Sequence, residues 1–248
     1  MSSLRRRLRS VVPLPVRQEI AHAIRRWRDF RSGIFLNEVR SDAHLCEYTL
    51  HAEITQPIMA GALFENKLAN LAHGARSVNL SLIAPGRTWS FWRYIRQPTE
   101  RNGFVVGRNL VNGQLTRQVG GGLCQLSSLM YHLGLLAGLV ITERHAHSVD
   151  IYQEHERFTP LGADATVVWG HKDLRMNNPH GVNLVFECFV HDHFLTGRVY
   201  ARGKLPACDV TFVRNQIDVH HVIVNTLVNN QQHAQTFYEQ KQGLALQA

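Results

Sequence analysis

Long apolar runs are missing from this 248-residue chain. None approaches the roughly 20 residues that a helix needs to cross a bilayer. Cysteine is scarce as well. The four present, Cys46, Cys124, Cys188 and Cys208, are far apart and form no CxxC pair. That spacing argues against a disulfide scaffold or a dedicated zinc site and points to a reducing compartment. Acidic residues are nearly missing from the first 31 positions, where Glu19 and Asp29 face nine arginines. Seven of the eight net positive charges therefore lie in that stretch, and the other 217 residues are almost neutral. Such a balance removes the usual electrostatic footprint of a nucleic-acid-binding body. "VVPLPV" is too short and too broken by proline for a signal-peptide core, so the expected location is cytoplasmic, with an organellar transit peptide ranked below. No internal repeat or linker appears. At 19% charged and 44% apolar residues, the composition is that of an ordinary globular chain.

After the two prolines, Val16, Ile20, Ile24, Trp27 and Phe30 recur at steps of three and four, which predicts an amphipathic helix. The first expectation is a helix docked by that apolar face with its arginines solvated, dispensable for folding. The second is a basic helix lying on an anionic membrane surface, making residues 1–31 a peripheral membrane contact. Nucleic-acid binding ranks third. Further on, residues 62–74 predict a helix closed by Gly74, and two Asn-Gly steps between residues 102 and 113 predict turns joining short strands. "ATVVW", "GVNLVFECFV", "FLTGRVYAR" and "DVTFVRNQI", separated by polar turns, predict an antiparallel meander.

The chemistry concentrates in "GGGLCQLSSLMYHLGLLAGLVITERHAHS". Leu126, Leu129, Met130, Leu133, Leu136 and Ala137 fall in one arc of a helix over about 124–137, ended by Gly138. Cys124 lies opposite that arc with Ser127, Ser128, Tyr131 and Leu135, so both faces are expected to be covered. A thiol in a first helical turn is favoured as thiolate by the helix dipole and by unpaired N–H groups. Gly120, Gly121 and Gly122 allow unusual backbone angles and close approach. The strand-like "LVITER" then leads to His145 and His147, either of which suits a Cys–His pair, with Asp164 or Asp173 to orient the ring. The competing reading is a small packing cysteine. Cys124 with the two histidines makes a poor zinc set, so no metal or cofactor is expected.

Four segments also carry a likeness: "APGRTWSFWRYI", "GFVVGRNLVNGQ", the glycine-cysteine block and "ADATVVWGHKDLRMNN". Together they resemble the VanW family over roughly residues 70–190. The family takes its name from an accessory protein of vancomycin-resistance clusters, and this chain is similar to its short, soluble bacterial members. Gly120, Gly121, Gly122, Cys124, Gln125, Glu143, His147 and Ser148 match its motif positions. A looser likeness is to transglutaminase-like and papain-like domains, which also open a central helix with cysteine and supply histidine, then acid, from adjacent strands.

These readings predict an α+β fold in which a central Cys-bearing helix packs on an antiparallel sheet. Residues 1–60 form a basic helical arm, 61–218 the VanW-like domain and 219–248 a polar C-terminal tail. Three functions compete. One is a cysteine-dependent amide hydrolase or acyltransferase acting on peptide-like cell-envelope material. It assigns Cys124 as nucleophile, His147 as base with His145 in reserve, Asp164 as orienting acid, and Gln125 with the Gly122 region as oxyanion donors. Another is a binding module in which Trp89, Phe91 and Trp92 form an aromatic platform beside Gly120–Gly122, with His145 and Ser148 adding contacts. The third is an accessory partner of a membrane-associated enzyme.

Overall fold

A computed structural model describes residues 12–34, 36, 44–111 and 114–241 and shows an α+β fold. The helices are α1 (Leu14–Arg31), α2 (Phe64–Val78), the short α3 (Phe91–Ile95) and α4 (Leu123–Leu136). The strands are β1 (Thr49–Pro57), β2 (Ser81–Ile83), β3 (Thr88–Ser90), β4 (Val106–Val111), β5 (Gln114–Val119), β6 (Val140–Glu143) and β7 (Val149–Asp150), followed by β8 (Arg175–Asn177), β9 (Leu184–His191), β10 (Phe194–Ala201), β11 (Val210–Gln216), β12 (His221–Val228) and β13 (Gln231–Gln240).

One antiparallel sheet runs in the order β1-β10-β9-β2 and carries α2 and α4. Burial explains the arrangement. Leu126, Leu129, Met130 and Leu133 of α4 are fully buried, each adding about 1.5–3 kcal/mol of apolar transfer. Gly197 of β10 lets the helix settle close: a side chain there would meet Leu133 at 2.7 Å and Leu129 at 2.9 Å. Ser127, Ser128 and Tyr131 on the other face of α4 are buried too, so the helix is covered on both sides.

A second sheet, β11-β12-β13-β7, is antiparallel except where β13 meets β7 in parallel. β3-β8-β6 form a three-stranded sheet, and β4-β5 a hairpin whose turn, residues 112–113, lies outside the described residues.

Several expectations are corrected here. Residues 221–240 form β12 and β13 instead of a polar tail. Only alternate residues, Val222, Val224 and Thr226 of β12 and Thr236 and Tyr238 of β13, face inward, so the segment stays polar overall. Asn229 and Asn230, both with positive φ, make the two-residue turn that an Asn-Gly step usually makes. Residues 49–57, expected within the arm, pair with β10 in the main sheet. Gly74 lies inside α2 rather than capping it; a Cβ there would meet Leu123 and Leu126 at 2.9 Å, so it permits close packing of α2 on α4. "ATVVW" is extended but joins no ladder, because side chains of α4 bind its backbone instead.

The N-terminal helix is docked, but the other way round. Asp29 makes a two-pronged ion pair with Arg175 (2.7 and 2.9 Å), and Arg25 pairs with Glu143. His22 stacks on Trp169, whose Nε1 donates to Glu19. Because both Asp29 and Arg175 are buried, α1 packs as part of the folded body, and removing it would take the Asp29 partner from buried Arg175. Its apolar stripe faces away from the protein.

Candidate functional site

Gly122, at φ +100°, caps α4 in a conformation that side chains resist, and Cys124 is the second helical residue. At the start of α4, Leu123 N–H donates to Gly120 and Gln125 N–H to Gly122. No backbone carbonyl among the described residues accepts the Cys124 N–H. β6 and the turn after it bring His147 to the thiol. His147 Nδ1 bonds Asp164 Oδ2 at 2.7 Å, and the same oxygen accepts the His147 backbone N–H at 2.7 Å. The other ring nitrogen is thereby left for Cys124, to which the imidazole hydrogen-bonds.

Asp164 is held from three further directions. Arg144 Nη2 reaches Oδ1 at 2.9 Å, Arg144 Nε donates to the Asp164 carbonyl at 2.8 Å, and the Tyr238 hydroxyl donates to Oδ1. Arg144 also donates to Thr236 and lies over the Tyr131 ring. The acid-bearing segment is fixed to the cysteine helix by two serines. Ser127 donates to the Ala165 carbonyl at 2.6 Å, while Ser128 donates to the Cys124 carbonyl at 2.6 Å and accepts from Ala165 N–H at 3.0 Å. Nucleophile, base and acid thus share one hydrogen-bonded frame.

Burial opposes charge on all three groups, yet in each the partners shift the balance towards the charged form. For Cys124, burial pushes the thiol up, but the hydrogen bond and charge of His147, with the Val167 N–H, outweigh it and lower the pKa. For His147, burial pushes down, while Asp164 and Cys124 raise it to about 10. Asp164 is likewise penalised by burial, but His147 and Arg144 hold it well below the usual carboxylate range. Mutual stabilisation favours a thiolate–imidazolium pair over two neutral groups. By contrast Cys188, with no such partner, is pushed above the ordinary thiol range by burial.

The thiol opens into a cleft of about 170 Å³, lined among others by Phe64, Lys67, Arg108, Tyr152 and Phe158. Gln125 lines it too, but its side-chain amide donates to the Pro57 carbonyl at 2.9 Å, which ties α4 to the end of β1. The Gln125 backbone N–H and one of its two side-chain N–H bonds are thereby engaged, which leaves the second amide hydrogen as the donor this residue has for an oxyanion.

Other expected site residues lie elsewhere. His145 bonds Glu143 at 2.9 Å and is absent from the cleft lining. Asp173 binds Ser90, Arg175 and the Trp92 N–H, which leaves Asp164 as the acid beside His147. Ser148 is exposed, and its carbonyl accepts from Glu239 N–H. Trp89 and Phe91 are fully buried and Trp92 nearly so, making them core residues instead of a binding platform. Gly120 packs on Pro98 and Gly121 on Gly107, so two of the three glycines serve packing. Among the described residues, no group of three His, Cys, Asp or Glu side chains is placed to hold a metal ion.

Sequence reasoning missed Arg144, Tyr238, Thr236 and Lys67. Arg144, a charge inside a strand-like run directly before the histidines, carried a signal. The other three carried none.

The comparisons with known proteins agree with this geometry in extent. A family model described as "VanW like protein" matches residues 66–200, from α2 to β10. The vancomycin B-type resistance protein VanW of Enterococcus faecalis (strain ATCC 700802 / V583) is 35% identical over 137 residues, 55% of this chain and 50% of that protein. The uncharacterized protein YoaR of Bacillus subtilis (strain 168) is 32% identical over 111 residues, 45% of this chain and 35% of its own length. The chain thus spans half the length, or less, of these curated relatives. No solved structure matches. With more than half its residues inside the family match, including the cysteine, the histidine and the acid, the chain belongs to the VanW family.

Proposed function

We propose that this protein is a cysteine-dependent amide hydrolase or acyltransferase acting on peptide-like cell-envelope material. The observation that carries the reading is His147 hydrogen-bonded on one side to Cys124 and on the other to Asp164. The Cys124 thiolate attacks the amide carbonyl, and the C=O electron pair moves to oxygen. The Cys124 N–H, at the positive end of α4, faces that developing charge. As the intermediate collapses, the C–N bond breaks and the leaving amine takes the proton of the His147 imidazolium. Water or an acceptor amine then attacks the thioester, giving its proton to His147 and restoring the thiolate. Asp164 holds the ring in orientation throughout and is itself held by Arg144 and Tyr238. The order cysteine, histidine, aspartate along the chain supports a transglutaminase-like or papain-like organisation.

The envelope substrate draws on the relative named for vancomycin B-type resistance. The wide spacing of the four cysteines supports a cytoplasmic location. No helix among the described residues is long and apolar enough to cross a membrane.

The test is acyl-enzyme trapping. Full-length protein is mixed with a library of cell-wall stem peptides, quenched in acid and weighed intact. A thioester adduct on Cys124, absent in Cys124→Ser and released by hydroxylamine, is expected. Peptides that bind wild type and Cys124→Ser equally, with neither adduct nor cleavage, would overturn the enzyme reading in favour of a binding module.

A further inference from the structure

Resting on the thiol reading above, we infer that the cleft accepts acyl donors bearing a carboxylate, and that Lys67 holds that carboxylate. Lys67 projects from α2 into the cleft that contains Cys124. Gly122 makes this placement possible, since a side chain there would meet Lys67 Cγ at 2.9 Å. The acids of the cleft are already committed. Asp150 pairs with Arg157 at 2.9 Å, Glu156 accepts from Gln153 N–H at 2.7 Å, and Asp164 belongs to His147 and Arg144. Among the described residues no carboxylate pairs with Lys67; its charged neighbour is Arg108, and the Phe158 ring lies 5.9 Å from Nζ. Burial, with Arg108 adding to it, lowers the Lys67 pKa to about 8. With no carboxylate of the cleft paired to it, the Lys67 ammonium is placed to take a carboxylate supplied from outside.

Two matched electrophiles test this: N-iodoacetylglycine, which carries a carboxylate, and N-iodoacetylglycinamide, which does not. Each alkylates the Cys124 thiolate, forming an S–C bond as iodide leaves with the C–I electron pair. After normalising to the same ratio for the unfolded protein, wild type is expected to favour the carboxylate by roughly tenfold at pH 7. Lys67→Met should lose that preference, read as the ratio of the two rates, while Lys67→Arg should retain it. Equal preference in wild type and Lys67→Met overturns the Lys67 assignment but leaves the thiol reading standing. A thiol inert to both reagents in the folded protein overturns the thiol reading and this inference together.

A second inference stands independently on α1. We propose that its outward face binds an anionic membrane surface. Val16, Ile20, Ile24, Trp27 and Phe30 form one stripe, with Trp27 57% and Phe30 86% exposed. The opposite side is fixed by the Arg25–Glu143 and Asp29–Arg175 pairs, so the helix cannot roll to bury the stripe without breaking buried ion pairs. Arg26, Arg28 and Arg31 flank the stripe in solvent, and Arg31 lies over the Trp27 ring at 4.9 Å. An apolar stripe rimmed by arginine and tryptophan matches the interfacial zone of an anionic bilayer. The nine arginines of residues 1–31 favour that occupant over a neutral partner surface.

Vesicles of phosphatidylglycerol and phosphatidylcholine, against phosphatidylcholine alone, provide the test. The other three tryptophans are buried, so full-length protein should show a blue shift from Trp27 together with co-sedimentation on the anionic vesicles. The triple variant Ile20→Ser, Trp27→Ser, Phe30→Ser should fold normally and lose co-sedimentation. Absence of binding at low salt overturns the proposal. So does binding that the triple variant retains, which would be charge attraction alone, or a wild-type dimer that the variant turns into monomer, which would make a second copy the occupant.

Discussion

Replacing His147 with alanine is expected to slow acylation of Cys124 by about 10²–10⁴-fold, the range typical of a lost general acid–base group. Two effects combine. The imidazolium that keeps the thiol ionised disappears, leaving burial to push its pKa up, and no group remains to protonate the leaving amine. Asp164→Asn should slow the reaction less, because the ring remains but loses its orienting charge. Rate against pH separates this from a structural role. Wild type should keep its reactivity well below the ordinary thiol pKa of 9.0, while His147→Ala should follow an ordinary or raised thiol titration. Stability follows the same pair. His147, raised from 6.5 to about 10, contributes stability that is present below pH 6.5 and is lost as pH rises through about 10. Cys124, lowered from 9.0, contributes in the opposite sense: its stability is present above pH 9.0 and falls as acid returns the thiol's proton. Above pH 9.0 only the His147 slope remains, so thermal midpoints measured from pH 5 to 11 should fall through about pH 10, and His147→Ala should flatten that alkaline edge. Equal thiol titration in wild type and His147→Ala would end the case for a catalytic pair.

Gly121→Ala should have the largest effect on stability. Its new Cβ would run into the carbonyl carbon of Gly107, with Gly107 O at 2.5 Å and Arg108 O at 2.7 Å. These are backbone atoms of β4, so no side-chain rotation relieves the overlap. The Gly121 carbonyl also accepts from Asn70 Nδ2 at 2.9 Å, fixing the glycine run to α2. Separating β4 from the start of α4 should cost about 3 kcal/mol, the upper end of the usual overpacking penalty. Denaturant unfolding reads it directly. Gly86→Ala provides the comparison: Gly86, unlike Gly121, has positive φ but nothing within 4 Å of a new Cβ, so it should lose only the strain of the left-handed conformation. A loss at Gly121 no larger than that at Gly86 would show that a small backbone shift relieves the overlap and that close approach does not make Gly121 necessary.

Local sequence determined a good part of this protein. The leucine stripe fixed α4 to within a residue at each end, because a 3.6-residue period leaves one arc to bury. The α+β class followed from alternating runs parted by polar turns. The hydrogen-bonded row of Cys124, His147 and Asp164 was legible because thiol, imidazole and acid lie within about 40 residues, on consecutive short elements. Choosing Asp164 over Asp173, and His147 over His145, needed the tertiary structure. Each losing residue has equally suitable chemistry but is claimed elsewhere: Asp173 by Ser90 and the Trp92 N–H, far away in the chain, and His145 by its near neighbour Glu143. Long range also decided Tyr238 and Thr236, which a C-terminal hairpin more than 70 residues from Asp164 delivers through its pairing with β7. The N-terminal helix gives the clearest contrast. Its two faces are plain in the sequence, yet periodicity cannot say which face docks. That was decided by buried Arg175 and half-buried Glu143, whose need for opposite charge turned Asp29 and Arg25 inward and left the apolar stripe outside.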